Sequence, residues 1–178
     1  MKSLVAELFG DFDPRVRIEG AYFGERRYPH TVYQSTNNRF LVAICIPKHQ
    51  ADDPLARLIH LSHELVHCLS PNGFPPKATV LEEGLAEHSK IYLSRKFFQD
   101  QCPDFDFCDM LVGDYRAAFN KIEELINYEG LEGMRNGIRS IRASTELPFC
   151  RIAEDDLARE FVQTPRTLLT QLSQPFIG

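Results

Sequence analysis

His63 and His67 flank Glu64 in the pentapeptide HELVH, which has the residue types and the spacing of a metal site. Histidines at positions i and i+4 project from the same side of an α-helix, with about 5 to 6 Å between their Cβ atoms, so both rings can ligate one ion. The glutamate between them is then placed to act as a general base. The pentapeptide therefore predicts a zinc site with its base, and the alternative is a pair of helix histidines that bind no metal.

A third ligand is expected on the following helix, because zinc used for hydrolysis commonly takes three protein ligands, and two histidines with one carboxylate are a known set. The stretch TVLEEGLAEHSK, residues 79–90, supplies four candidates: Glu82, Glu83, Glu87 and His88. The connection CLSPNGFPPKA before it is long enough to reverse the chain and bring the two helices side by side.

The spacing of these acidic residues separates their expected roles. Thr79 and Glu82 match a capping box, so the Glu82 side chain is predicted to reach back to the start of its helix. Glu83 is then free to face the first helix. Glu87 lies one turn further on the same side, where it could accept a hydrogen bond from a metal-bound histidine.

The pentapeptide HELVH together with EEGLAE resembles the gluzincin metallopeptidases, in which H-E-x-x-H on one helix is completed by a glutamate on the next helix. Fifteen residues separate His67 from Glu83. The resemblance implies that His63, His67 and Glu83 are the zinc ligands, that Glu64 is the general base and that Glu87 is an acidic partner of a ligand. It covers about residues 40–92, and it departs from many relatives at position 82, where they carry asparagine.

The resemblance implies a zinc-dependent peptidase that acts on a peptide or protein substrate. Zinc lowers the pKa of its bound water toward about 7, and Glu64 would take the proton as that water attacks the scissile carbonyl. The oxyanion that develops needs a further donor. The candidates for it are His60, His88, Tyr92, Tyr115 and Tyr128.

The alternative function is that of a non-catalytic zinc-binding or peptide-binding protein on a zincin-like scaffold. A structural zinc site is usually closed by four protein ligands. Recruitment of His60, His88 or Cys68 as the fourth ligand would favour this alternative.

The element that carries HELVH is predicted to be a helix over residues 54–69, because Asp53 can cap it and Pro54 suits its first position. Its apolar residues form one stripe: Leu55, Leu58, Ile59, Leu65, Val66 and Leu69. Its polar residues fall in another sector: His60, His63, Glu64 and His67. The helix can therefore be buried on one face and present its polar cluster on another.

The rest of the chain predicts an α+β fold of the zincin-like class, in one domain over residues 1–178. Residues of about 15–47 are β-branched and aromatic with turn formers between them, which indicates a small N-terminal sheet. This sheet is expected to pack on the HELVH helix through Leu58, Ile59, Leu65 and Val66. The apolar strand RFLVAICIP is expected to border the cleft and to offer its edge to an extended substrate. Residues of about 54–172 are mainly helical, with later helices predicted from residue 79 and over 109–128, 131–143 and 155–172.

Composition limits the classes of partner. The chain has 178 residues, 43% hydrophobic and 25% charged, with a net charge of -5. This charge gives no general attraction to nucleic acid or to anionic membranes, and no apolar stretch is long enough for a transmembrane helix. The five cysteines lack C-x-x-C spacing and are predicted to be reduced thiols, and the N-terminus does not match a secretory signal. A cytoplasmic location is therefore expected.

Overall fold

The computed structural model describes residues 1–36, 39–72 and 77–177. Within these ranges the chain forms three strands and seven α-helices, so the α+β class is confirmed. The strands are β1 (Val16–Gly24), β2 (His30–Thr36) and β3 (Arg39–Pro47). The helices are α1 (Lys2–Phe9), α2 (Pro54–His67), α3 (Val80–Phe98), α4 (Gly113–Glu129), α5 (Leu131–Thr145), α6 (Glu154–Glu160) and α7 (Arg166–Ser173).

The sheet has the strand order β1-β3-β2, with β3 parallel to β1 and antiparallel to β2. The prediction that β3 offers an edge to substrate is therefore wrong, because β3 pairs on both sides. Its nearly continuous apolar run is typical of a strand that is covered by neighbours. Both β3 and β2 contact the HELVH helix, and the Thr31 side chain of β2 hydrogen-bonds Glu64.

Helix α2 begins where the sequence predicts. The Asp53 side chain accepts hydrogen bonds from the backbone of Leu55 at 2.9 Å and of Ala56 at 3.0 Å, and Pro54 occupies the first position. Leu65 and Val66 are buried in the main core, and Leu58 packs against it. Ile59 does not share this packing and lies in the wall of a cavity beside the helix.

Helix α3 is the most buried element, with every residue from 81 to 89 inside the molecule. Its position depends on Gly84, because a Cβ at that residue would lie 2.6 Å from Ile122 Cγ1 and 2.7 Å from the Ala118 carbonyl oxygen of α4. The absence of a side chain therefore lets α3 and α4 approach closely.

The C-terminal region differs from the expected pattern. The single helix predicted over 155–172 is two helices, α6 and α7, because Pro165 lacks a backbone N–H and disfavours the helical conformation of the residue before it. Helix α4 begins four residues later than predicted, after a short 3-10 turn that is capped by Asp106. Helix α1, which the sequence reasoning did not anticipate, places Val5, Leu8 and Phe9 in the core.

All five cysteines are free thiols, in agreement with the sequence-based expectation. No helix in the described part of the chain has the length and apolar character needed to cross a membrane.

Candidate metal centre

The side chains of His63, His67 and Glu83 converge between α2 and α3. The two Nε2 atoms lie 3.2 Å apart, and the Glu83 carboxylate oxygens lie 3.5 Å from His63 Nε2 and 3.7 Å from His67 Nε2. An ion held tetrahedrally by bonds of 2.0 to 2.2 Å has ligand atoms about 3.3 to 3.6 Å apart. The three predicted ligands therefore form a group that could hold one metal ion.

Each histidine has a carboxylate on its other ring nitrogen. Glu87 Oε1 lies 2.8 Å from His63 Nδ1, and Glu82 Oε1 lies 2.8 Å from His67 Nδ1. A histidine that donates its Nδ1–H in this way is fixed in the tautomer whose Nε2 can ligate a metal. The expected contact of Glu87 with a motif histidine is thus present.

The prediction for the Glu82 side chain is wrong. The Thr79 hydroxyl does accept the Glu82 backbone N–H at 3.3 Å, which is the first half of a capping box. The Glu82 carboxylate does not return to the cap, because it is bonded to His67 and accepts a second hydrogen bond from Asn72 Nδ2 at 2.7 Å. A histidine on the adjacent helix is a stronger attraction for a buried carboxylate than a backbone N–H.

The outer oxygens of these two carboxylates are also engaged. Asn72 bonds to Glu82 and also accepts the backbone N–H of Cys150 at 3.3 Å, so it ties the end of α2 to the segment after α5. On the other side, the ammonium of Lys90 forms an ion pair with Glu87. Each of the two orienting carboxylates therefore has a second polar partner, a hydrogen bond for Glu82 and an ion pair for Glu87.

The site carries an excess of buried acidic side chains. Four carboxylates are buried around the two histidines: Glu64, Glu82, Glu83 and Glu87. Buried charges of one sign are costly unless they are paired. Oε2 of Glu83 is buried without a hydrogen-bond partner and lies on the side of His63, which suits a metal ligand.

The pKa values reflect the same excess of negative charge. Burial by itself lowers the pKa of His67, but the hydrogen bond and charge of Glu82, together with the charges of Glu83 and Glu64, raise it to about 10. Burial raises the pKa of Glu83, against the opposing effect of the two histidines. The pocket therefore favours a cation, either a proton or a metal ion.

Glu64 lies beside this group and is hydrogen-bonded to a residue of the sheet. Its Oε2 accepts the hydroxyl of Thr31 at 2.7 Å, so β2 fixes one oxygen of the buried carboxylate. The residue contributes to the walls of two cavities on either side of the site. This arrangement allows Glu64 to take a proton from a molecule held between them.

The two cavities have volumes of about 560 Å³ and 310 Å³, and His63, Glu64 and Tyr115 line both. The larger has mainly apolar walls, formed in part by Tyr28, Pro29, Ile59, Met110 and Val112. The smaller is more polar, with His30, Asn72 and Glu82 among its lining residues. Together they form a cleft that passes over the three converging side chains.

Of the three tyrosines among the oxyanion candidates, Tyr115 is the one that lines the cleft. Its ring centroid lies 6.2 Å from that of His63, and burial, together with the charges of Glu83, Glu87 and Glu64, raises its pKa. His60 also borders the larger cavity, where it is bonded to Gln50.

The remaining oxyanion candidates lie elsewhere. His88 pairs with Glu123 at 3.1 Å and stacks on Tyr92. Tyr128 is exposed near the end of α4 and lines neither cavity of the cleft.

The candidates for a fourth ligand do not join the group within the described ranges. His60 and His88 are engaged by Gln50 and Glu123. The Cys68 thiol lies 3.9 Å from the Thr31 hydroxyl, and burial raises its pKa to about 12. Among the described residues, the group that could hold a metal ion therefore comprises three side chains.

Two residues of the site, Thr31 and Asn72, are not predicted from the sequence. They belong to no motif, and no spacing connects them with Glu64 or Glu82. Glu82 is among the sequence candidates, but the capping box predicts a local role for its side chain and not the contact with His67.

Comparisons of the chain with protein-family models, with curated proteins and with solved structures give no significant match.

Proposed function

We propose that the protein is a zinc-dependent peptidase in which His63, His67 and Glu83 hold the ion and Glu64 is the general base. The observation that supports this proposal most strongly is the group of His63, His67 and Glu83 beside a buried carboxylate that lines two cavities. Zinc is favoured over magnesium or calcium because two of the three ligands are imidazole nitrogens.

A zinc ion held there would supply Lewis acidity and lower the pKa of a water molecule. The chain itself provides the proton transfers: Glu64, held by Thr31, would accept the proton of the attacking water and return it to the leaving amine. The Tyr115 hydroxyl would donate a hydrogen bond to the oxygen on which negative charge develops.

Strand β2 is the proposed docking edge for the substrate, in place of β3. In the described part of the chain β2 pairs with β3 on one side and with no strand on the other, and Thr31 places it against Glu64. An extended peptide can add to such an edge by main-chain hydrogen bonds. The larger cavity, with its apolar walls, would then receive a large apolar side chain next to the scissile bond.

A non-catalytic zinc-binding or peptide-binding protein is the alternative. It is less well supported because each candidate for a fourth protein ligand is engaged elsewhere: His60, Cys68 and His88.

Replacement of Glu64 by glutamine separates the two functions. The variant keeps the size of the side chain and removes the base, so it should retain one zinc ion and its melting temperature while peptide hydrolysis falls by about 10² to 10⁴. Activity is measured on a pool of fluorogenic peptides, and zinc content by atomic emission.

Glu123→Gln is the matched control, because Glu123 also contacts a histidine but lies outside the cleft. It should hydrolyse the pool at the parent rate. If Glu64→Gln cleaves the peptides as fast as the parent, the peptidase proposal fails.

A further inference from the structure

The last residues of the described chain, 174–177, run beside the start of α3 and are called the C-terminal strap below. The backbone N–H of Val80 donates to the Gln174 carbonyl at 2.9 Å, and that of Phe176 donates to the Ala78 carbonyl at 2.8 Å. Between these hydrogen bonds Thr79 and Pro175 form an antiparallel bridge. The strap is therefore fixed to the segment from which the helix of Glu82 and Glu83 begins.

One side chain of the strap turns inward. Gln174, Pro175 and Ile177 are exposed, with Ile177 at 80%, whereas Phe176 is half-buried. The Phe176 ring centroid lies 5.0 Å from that of Tyr115, with the ring planes tilted by 50°. The inward contact of the strap is thus made with the tyrosine of the candidate site.

Tyr115 is weakly held by its own helix. It lies in the first turn of α4, whose N-terminus has no side-chain cap, and the ring is 38% exposed. Its aromatic contacts are His63 on the side of the metal group and Phe176 on the side of the strap. An uncapped first turn gives little local stability, so packing against these neighbours decides where the phenol lies.

We infer that Phe176 is a positioning residue: the C-terminal strap holds Tyr115 over the candidate metal centre. This inference rests on the proposed function for its catalytic consequence, but the contact itself can be measured without turnover. Reactions that depend on an aligned group can lose about 10²-fold when that group is displaced by about 1 Å.

The chain contains no tryptophan, so Y115W introduces a single fluorescent reporter at the position of interest. In this background F176A should shift the emission to longer wavelength and increase quenching by acrylamide, because the ring loses its neighbour. I177A is the matched control in the same strap and should leave both values unchanged. If F176A also leaves both unchanged, the positioning role is wrong, whether or not the protein cleaves peptides.

The kinetic test uses the chain with its natural Tyr115. F176A should lower kcat by about 10- to 100-fold with a smaller change in KM, F176L should restore part of the loss, and I177A should match the parent. In a Y115F background, F176A should cause no further loss. An equal loss in both backgrounds would show that Phe176 acts through general stability and would overturn the inference.

Zinc content and melting temperature are measured for each variant, and F176L gives a folded comparison if F176A is unstable. Should the zinc-loaded parent hydrolyse no peptide while F176A still exposes the Y115W reporter, the peptidase proposal fails and the contact of the strap with position 115 stands. The two failures are therefore distinguishable.

Discussion

A histidine that ligates a metal through Nε2 is oriented by what its Nδ1 contacts, and this chain provides a buried carboxylate for each motif histidine. The spacing of Glu87 was sufficient to predict one of these contacts. The other, from Glu82 to His67, could not be chosen over a capping role from sequence alone, because both partners lie within reach of one flexible side chain. At the scale of single residues, candidate ligands can be predicted from residue type and helical spacing. The choice between two competing hydrogen bonds of one side chain cannot be predicted from the sequence.

Glu82→Gln tests the orientation of His67. The glutamine oxygen can accept the hydrogen bond from His67. Its NH₂ group would then face the NH₂ group of Asn72, and the two donors repel each other. Asn72 cannot turn its oxygen toward the glutamine, because that oxygen already accepts the backbone N–H of Cys150. Zinc affinity, measured by competition with a chromophoric chelator, should fall by about 10- to 100-fold.

The control for this change is Glu123→Gln, which alters a similar contact with His88 away from the site. It should leave zinc affinity at the parent value. Equal affinities for Glu82→Gln and the parent would mean that this carboxylate does not orient the ligand.

Thr31→Val tests the hold of β2 on Glu64. Valine keeps the shape of threonine and removes the hydroxyl that donates a hydrogen bond to Glu64. Hydrogen bonds to charged groups contribute about 1.5 to 3 kcal/mol, so kcat should fall by about 10- to 100-fold while zinc content is unchanged. Thr31→Ser, which retains the hydroxyl, should preserve most of the activity, and a similar loss in both variants would argue against the hydrogen bond.

Helices can be predicted from the sequence where capping residues or prolines mark their ends. Asp53 and Pro54 fixed the start of α2, and Thr79 fixed the cap of α3. The order of the strands could not be predicted from the sequence. An apolar run such as that of β3 is equally compatible with a central strand and with an edge strand that borders a cleft. Pro165 is a signal for a break, but the apolar periodicity on either side of it favours one continuous helix.

Gly84→Ala tests the packing of α3 on α4. Alanine favours helix by about 0.5 to 1 kcal/mol, but the added Cβ would meet the Ala118 carbonyl oxygen at 2.7 Å, and backbone atoms cannot rotate away. Overpacking of this kind costs about 1 to 3 kcal/mol, so urea denaturation should show a net loss of stability.

Gly133→Ala is the matched control within a helix, because its Cβ would have only the Glu129 Cβ nearby, at 3.4 Å. This change should be neutral or stabilising by about 0.4 to 1 kcal/mol. Loss of stability in both variants would show that the close approach at Gly84 is not the cause.

At the scale of the whole molecule, the site is assembled from parts that are distant in sequence. The three side chains of the candidate metal group lie on two consecutive helices, and their convergence could be predicted from their spacing. Thr31 comes from the sheet, Tyr115 from α4 and Phe176 from the strap, and their proximity depends on tertiary packing that no local pattern encodes. The sequence therefore predicts the two helices that carry the candidate metal group, and it does not predict the residues of the other elements that contact them.

We expect the stability of the whole chain to depend on a bound cation. Without one, the four buried carboxylates have Lys90 and the proton of His67, whose pKa is raised to about 10, as balancing charges, so folding brings like charges together. An ion that binds only the folded chain stabilises it by about 4.1 kcal/mol at a free concentration one thousand times its Kd. For a domain of this size, about 2 to 4 °C per kcal/mol gives a rise of about 8 to 16 °C in Tm.

Treatment with a strong chelator should therefore lower the Tm in differential scanning calorimetry, and added zinc should restore it. Magnesium should not, because it prefers oxygen ligands in octahedral geometry. His63→Ala removes one ligand and should abolish the response to zinc, whereas His30→Ala, at the rim of the smaller cavity, should keep it. A Tm that is unchanged by both chelator and zinc in the parent would mean that the group of His63, His67 and Glu83 holds no metal.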